Sequence, residues 1–323
     1  MTDQKHRSLI LKVVYLSLLF FTLIVLMVYS YLKADGPLEQ PTRIVIPKGI
    51  STKQISELLH SRNIIKYPDV FFLITKINYK KKLIAGEYLI EKNVSLTSLI
   101  NLLHSGKVII HKLTIPEGTS TYEVVQKINQ IDILTGEITQ TYGEGLLMPE
   151  TYYYSYGDKR QDIIDRMHHN LITCLQSLWT NRAPNLPYRN MHEALTMASI
   201  IEKETAIKSE RNLVSAVFIN RLKKNMKLQA DPTVVYALTY GKDALERELS
   251  KNDLQFDSPY NTYTNLGLPP SPITNPGEAS IEAALNPADS NDLYFVADGK
   301  GGHNFSSTLS VHNRNVMYYR ENK

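Results

Sequence analysis

Between Lys12 and Lys33 the sequence carries no charged residue, and Val13 to Tyr31 is dominated by Leu, Val, Ile and Phe. A run of about 19 to 20 apolar residues is long enough to cross a bilayer core as a helix. Hydrocarbon offers no partner to a backbone N–H or C=O, so a lone run of this kind has one fold open to it. A secretory signal would have a shorter apolar stretch and a small-residue cleavage site. No convincing cleavage site follows here, and no cysteine is placed for lipidation. Lys5, Arg7 and Lys12 precede the run, whereas Lys33, Asp35 and Glu39 follow it. That asymmetry predicts a cytoplasmic tail over residues 1–12, a transmembrane helix over 13–32, and export of the remainder.

The 323 residues are enough for two domains of ordinary size. A net charge of +4, scattered along the chain, gives no reason to expect a nucleic-acid partner. The densest basic run, Lys80-Lys81-Lys82, reads as a solvated turn. The single cysteine, Cys174, excludes an intramolecular disulfide and a zinc site built on paired thiolates.

A linker over 33–42 contains Pro37 and Pro41. Arg43 to Ile46 is strand-like, and Ser51 with Gln54 three residues later is a capping box that starts a helix. Tyr67-Pro68-Asp69 opens a second helix, with Val70, Phe71, Leu73, Ile74 and Ile77 as its buried side. Gly86 to Ile90 returns as a strand. A short helix over Leu96–Leu103 closes on Gly106, and Val108 to Ile115 reads as strand. The pattern Ile46-Pro47-Lys48-Gly49-Ile50-Ser51-Thr52 recurs as Ile115-Pro116-Glu117-Gly118-Thr119-Ser120-Thr121, with its own capping box to Glu123. These features predict an α+β chain with a small module over 43–110 and a larger α+β domain over 111–323. In the larger domain, Gly145 to Tyr154 reads as an aromatic loop. Helices are expected over Asp162–Trp179, Met191–Thr205, Leu213–Leu222 and Pro232–Leu238, the last capped by Asp231. Ser258 to Gly277 is rich in Pro and Gly and therefore irregular, which in an ordered loop points to function. Asp292–Ala297 reads as a strand, Asp298–Gly302 as a turn and Thr308–Tyr319 as a closing helix.

The chemistry concentrates in Met197-Ala198-Ser199-Ile200-Ile201-Glu202-Lys203-Glu204-Thr205. A helix that is apolar nearly all round is buried on most sides. A carboxyl group there loses hydration, which raises its pKa and keeps it protonated near neutral pH, as a general acid requires. Residues two apart on a helix are rotated by about 200°, so Glu202 and Glu204 cannot form a close pair. The residues alone leave two readings open: ion pairs with Lys203, Lys208 or Arg211, or one glutamate in a cleft. Asp231 or Asp257 are the acids that folding could bring alongside. Gln229-Ala230-Asp231-Pro232-Thr233 and Ser258-Pro259-Tyr260-Asn261-Thr262-Tyr263 combine amides, hydroxyls and aromatic rings, groups suited to sugars and equally to turns. His303 in His303-Asn304-Phe305 is a further candidate. Gly299-Lys300-Gly301-Gly302 lacks the Lys-Ser/Thr and the helix start of a phosphate loop. His168 and His169 are adjacent rather than four apart, a poor metal pair. No metal or other cofactor is expected.

Taken together, Ala198–Thr205, Val217–Leu222, Leu228–Tyr236, Tyr260–Tyr263, Gly267–Pro270 and Tyr294–His303 resemble the endolytic murein transglycosylase, or YceG-like, family. The likeness runs along nearly the whole chain. Met148 departs from it, standing where the family's loop usually carries an aromatic residue. The resemblance implies a LysM-like module over 43–110 and a catalytic domain over 111–323. It also implies cleavage of β-1,4 bonds between N-acetylmuramic acid and N-acetylglucosamine within glycan strands, leaving 1,6-anhydro-muramyl ends. Glu204, the second acid of Glu202-Lys203-Glu204-Thr205, would be catalytic. Gln229, Asp231, Tyr260, Asn261, Thr262, Tyr263 and His303 would contact substrate. The implied setting is a bacterial inner membrane with the catalytic domain in the periplasm. Peptidoglycan strands would be the substrate and peptidoglycan synthases candidate protein partners. An exported domain has no pool of soluble cofactor, and no lysine stands out for a Schiff base with pyridoxal phosphate. The reading from another class is a noncatalytic, membrane-anchored peptidoglycan-binding scaffold. A third is a hydrolase, which would need a second carboxylate near Glu204.

Overall fold

The computed structural model describes residues 2–77 and 82–322; Lys80 and Lys81 of the basic run lie outside the described residues. The chain separates into two compact units, one reaching to His111 with residues 155–157, the other formed by Lys112–Tyr154 and the chain from Asp158 on.

The first unit begins with α1 (Thr2–Lys33). Its stretch Leu9–Lys33 is long and apolar enough to cross a membrane, and none of its most apolar window is buried against protein. β1 (Thr42–Ile46), α2 (Thr52–Ser61), α3 (Pro68–Ile77), β2 (Gly86–Ile90) and α4 (Leu96–Ser105) follow. β1 and β2 pair antiparallel, with Ile44 opposite Tyr88 and Ile46 opposite Gly86. Strand periodicity sends Ile44 and Ile46 inward, where they meet Ile55, Leu59, Phe71, Tyr88, Leu99 and Leu103. Each such side chain contributes about 1.5–3 kcal/mol on burial. Leu59→Ala would forfeit roughly 2–5 kcal/mol. Ser51 forms the capping box with Gln54, and Gly106 ends α4 in the left-handed conformation at φ 66°.

Two details of the chain up to Ile115 differ from the sequence reading, the second at the start of the second unit. Leu73 and Ile77 are 58% and 72% exposed, whereas Phe71 and Thr75 are the buried residues of α3. Leu73 lies about 200° around the helix from Phe71, so one core cannot take both. The strand expected over Val108–Ile115 is shorter, and forms β3 (His111–Thr114).

The second unit continues with α5 (Thr121–Asn129), β4 (Thr151–Tyr154), α6 (Arg160–Thr180) and α7 (Met191–Glu204). Then come α8 (Arg211–Lys223), α9 (Asp231–Thr239), α10 (Glu278–Leu285), β5 (Tyr294–Ala297), β6 (His303–Ser306) and α11 (Leu309–Glu321). Thr151 to Tyr154 is therefore a strand paired with β3, not loop, and His303 to Ser306 pairs antiparallel with β5. Both segments escape periodicity because four residues give only two alternations, and the burial of His303 to Ser306 does not alternate. α7 lies at the centre. Leu195, Ala198, Ile200 and Ile201 share a core with Leu171 of α6, Val214 and Phe218 of α8, and Ile281 and Leu285 of α10. Ser258 to Gly277 carries no helix and no strand, as its Pro-Gly composition predicts, and residues 240–257 carry a single 3-10 turn. The order of helices and short antiparallel pairs makes this an α+β fold.

Candidate active site

The site grows from the C-terminal end of α7. Asn190 caps the other end, its side-chain oxygen accepting from the Glu193 N–H at 3.0 Å. Ala194 through Ile201 are all buried, so the body of the helix is locked in its core. The Ser199 hydroxyl accepts from the Ile273 N–H at 3.0 Å and ties the irregular 258–277 segment to the helix. Glu204 is the last helical residue, and Thr205 is already extended.

The two glutamates meet opposite environments. Glu202 is paired with Arg211 at 3.2 Å, and both side chains are 5% exposed. Its other oxygen accepts from the Gly277 N–H at 2.9 Å. Arg211 also reaches Glu117 at 3.2 Å. Glu202 is thus saturated.

Glu204 points the other way, into a cavity of about 190 Å³ lined by Phe218, Arg221, Leu228, Gln229, Asp231, Tyr263 and Phe295. The polar neighbours direct their bonds elsewhere. Arg221 donates to the carbonyls of Leu293 (2.7 Å), Leu228 (2.9 Å) and Lys227 (3.2 Å) and to the Gln229 side chain (3.4 Å). The Tyr263 hydroxyl donates to Asp231. Burial first, and the nearby Asp231 carboxylate second, push the Glu204 pKa up to about 8, with the Arg221 charge opposing them. Burial lowers the Arg221 pKa from its usual high value, yet a guanidinium starts so high that it stays charged. The cavity therefore holds a carboxyl that is protonated at neutral pH, beside a fixed cation able to stabilise the anion once the proton leaves.

The structure gathers some of the sequence-chosen residues and disperses others. Gln229, Asp231 and Tyr263 line the Glu204 cavity. Gln229 holds a left-handed backbone at φ 52°, unfavourable for a residue with a Cβ, and such strain gathers at functional sites. Asp231 does not cap α9 as expected. Ala230 occupies the cap position, and Asp231 sits in the first turn, where a carboxylate suits the helix dipole. Asn261 is fully buried; its amide donates to the carbonyls of Phe256 (2.8 Å) and Leu254 (3.2 Å) and accepts from the Tyr263 N–H (2.9 Å). Thr262 is buried as well, bonded through its hydroxyl to the Ala230 N–H and to Thr233. Both hold loops together beneath the cavity. Tyr260 bonds Ser271 at 2.7 Å and packs against the rings of Tyr236 and Tyr240. His303 does not line the cavity. It pairs with Glu210 at 2.7 Å and stands edge-on to Phe295, which does. Asp257 is exposed and does not join the site. Among the described residues, no group of three or more His, Cys, Asp or Glu side chains is arranged to hold a metal ion.

Sequence reasoning gave Arg221 no part. Its signal was an arginine in the largely apolar stretch Val214–Leu222; a charged residue on a buried helix must have partners. Phe218 and Phe295, to which the sequence assigned no role, pack edge-to-face at 5.7 Å while walling the cavity.

A near-neutral acid on a buried helix, walled by aromatic rings and a fixed arginine, defines a proton-transfer site. The chain belongs to the YceG-like family, whose profile matches residues 44–318. It is 35% identical over 312 residues to an endolytic murein transglycosylase of Bacillus subtilis strain 168, covering 87% of this chain and 85% of the relative. An endolytic murein transglycosylase of Streptococcus pneumoniae D39 is 29% identical over 341 residues, covering 91% of this chain and 61% of its own length. The crystal structure of a YceG-like protein from Listeria monocytogenes superposes with a TM-score of 0.53 at 32% identity. That match covers 85% of this chain and 99% of the other.

Proposed function

We propose that this chain is a membrane-anchored endolytic murein transglycosylase. It cuts β-1,4 bonds between N-acetylmuramic acid and N-acetylglucosamine inside glycan strands and leaves 1,6-anhydro-muramyl ends. The observation that carries this reading is the Glu204 carboxyl, raised to about 8 and flanked by Arg221 in a walled cavity. In the proposed reaction, protonated Glu204 gives its proton to the glycosidic oxygen. The C1–O bond breaks, and C1 takes on oxocarbenium character. Arg221 steadies the Glu204 carboxylate. That carboxylate then accepts the proton of the muramic C6 hydroxyl as its oxygen bonds to C1. The proton count closes, no water enters, and one residue serves as acid and then base. Gln229, Asp231 and Tyr263 supply hydrogen-bonding groups for the sugar, while Asn261 and Thr262 hold the loops that present them.

In this reading α1 is the anchor, with the residues before it in the cytoplasm and both units on the far side. The β1-α2-α3-β2 order supports a LysM-like module over 43–110, with catalysis assigned to 111–323 and peptidoglycan synthases as candidate partners. Asp231 gives a second reading a specific basis. A carboxylate in the same cavity is what a hydrolase needs to activate water. The Tyr263 hydroxyl donates to one Asp231 oxygen, and the chemistry of the new ends decides between the two readings.

The test is mass spectrometry of strands digested by the full chain in detergent. Fresh 1,6-anhydro ends with an early fall in mean strand length are expected. Unchanged strands would leave the scaffold reading, and reducing ends would leave the hydrolase.

A further inference from the structure

Glu204 is the last residue of its helix, the place where helices fray. An acid that must meet one glycosidic oxygen has to be held within about half an ångström. Its own side chain does not provide that hold. The hold comes from the opposite face of the same turn.

There, two loops grip the helix end. The Ile115–Thr121 segment, second copy of the repeated motif, brings Glu117 and Gly118. Residues 275–277 bring Asn275 and Gly277. The loops bond to each other: Gly118 N–H donates to the Asn275 carbonyl at 2.9 Å, and Asn275 N–H donates to the Thr119 carbonyl at 3.2 Å. Both also hold α7. Gly277 N–H donates to Glu202, Lys203 Nζ donates to the Gly118 carbonyl at 3.4 Å, and Arg211 bridges Glu202 and Glu117. The Glu117 carboxylate lies directly against the Gly277 backbone: a Cβ there would fall 2.0 Å from it. Arg211 is 4% exposed, and its Nε and Nη1 have no hydrogen-bond partner among the described residues. A desolvated cation held by one nitrogen between two carboxylates is costly to disturb.

We propose that Glu202 and Arg211, braced by Glu117, are positioning residues that fix the rotation of the last turn of α7 and so aim Glu204 into its cavity. This rests on the functional reading above. The first copy of the motif has Lys48 where Glu117 stands, so the repeat carries the clamp in its second copy alone.

The test compares the full-length wild type with Glu202→Gln, Arg211→Lys and Glu117→Gln. For Glu202→Gln the expected result is a fall in kcat of about tenfold or more, with KM within twofold. Its activity should also decline at lower pH than in wild type, because a loosened Glu204 meets more water. The groups facing Glu204 are Arg221 from α8, Asp231 from α9 and Tyr263 from the 258–277 segment, and all three stay in place. Arg211→Lys should follow Glu202→Gln, and Glu117→Gln should show the same signature more weakly. A role in stability alone would lower the melting temperature and leave both kcat per folded molecule and the alkaline limb unchanged; that result overturns the proposal. If Glu202→Gln does not fold, Arg211→Lys and Glu117→Gln decide on the same readouts. The melting temperature against pH decides without any activity. Wild type should lose stability between about pH 5 and 8 as Glu204 ionises. Glu202→Gln should show a flatter slope, and an unchanged slope counts against the clamp. A steep wild-type slope with no cleavage at all would sink the functional reading while leaving the clamp to this measurement.

Discussion

The two faces of the last turn of α7 carry the same side chain in opposite physical states. On one, Glu202 has a buried arginine, a backbone N–H and no space left. On the other, Glu204 has a cavity, a neighbouring cation whose hydrogen bonds go elsewhere, and a raised pKa. Two positions of helix rotation separate them. A carboxylate whose oxygens are already bonded serves to hold structure. An unsatisfied one costs stability and is available for chemistry. The sequence Glu-Lys-Glu conceals this difference.

The comparison breaks most visibly at Glu204 itself. Glu204→Gln should lose about 10²–10⁴ in the rate of strand cleavage, the range of a lost general acid, measured by end-group release. Its circular dichroism should match wild type. An active Glu204→Gln with an inactive but folded Glu202→Gln would reverse the assignment of the two faces.

A smaller effect separates the charges around Glu204. Arg221 lowers its pKa and Asp231 raises it. Arg221→Gln should therefore move the alkaline limb of the rate profile to higher pH, and Asp231→Asn should move it lower. Shifts in the same direction would mean that the limb reports some other group.

Next comes the loop beneath the cavity. The three hydrogen bonds of the buried Asn261 amide make Asn261→Ala a stability variant, expected to cost about 1–3 kcal/mol in chemical denaturation. Lost sugar contact would instead lower activity at unchanged stability.

The smallest expected effect is thermodynamic. The Glu204 pKa is higher in the folded chain than unfolded, so the folded state keeps a proton that the unfolded state releases. Its contribution is complete below about pH 4.5 and is lost as pH rises through about 8. Glu204→Gln should remove that slope, gaining melting temperature on wild type toward pH 8–9 and converging with it in acid. An equal difference at every pH would contradict the assigned direction.

Much of this was legible in the sequence where a local signal acts alone. The capping boxes at Ser51 and Ser120 and the left-handed Gly106 follow from one or two residues each, and the apolar α1 helix follows from one unbroken stretch. The opposed glutamates followed from helix geometry. What escaped depends on contacts distant in sequence. Arg221 gains its place from carbonyls at 227, 228 and 293, and Glu117 meets Arg211 across 94 residues. Asn261 and Thr262 carry the same groups whether they face a sugar or a neighbouring backbone. Only burial distinguishes the two. Leu73 and Ile77 show the converse, apolar residues on a helix that had a single face to bury.

The central claim is that Glu204 alone serves as acid and then base, with the substrate's own C6 hydroxyl as nucleophile. Its most direct test is the origin of the oxygen at each new end. Glycan strands should be digested by the full chain in heavy-oxygen water, and the fresh muramyl ends weighed. Intramolecular attack predicts anhydro ends that carry no solvent oxygen. Heavy oxygen in reducing ends, formed in step with cleavage, would contradict the account and make Asp231 the base of a hydrolase.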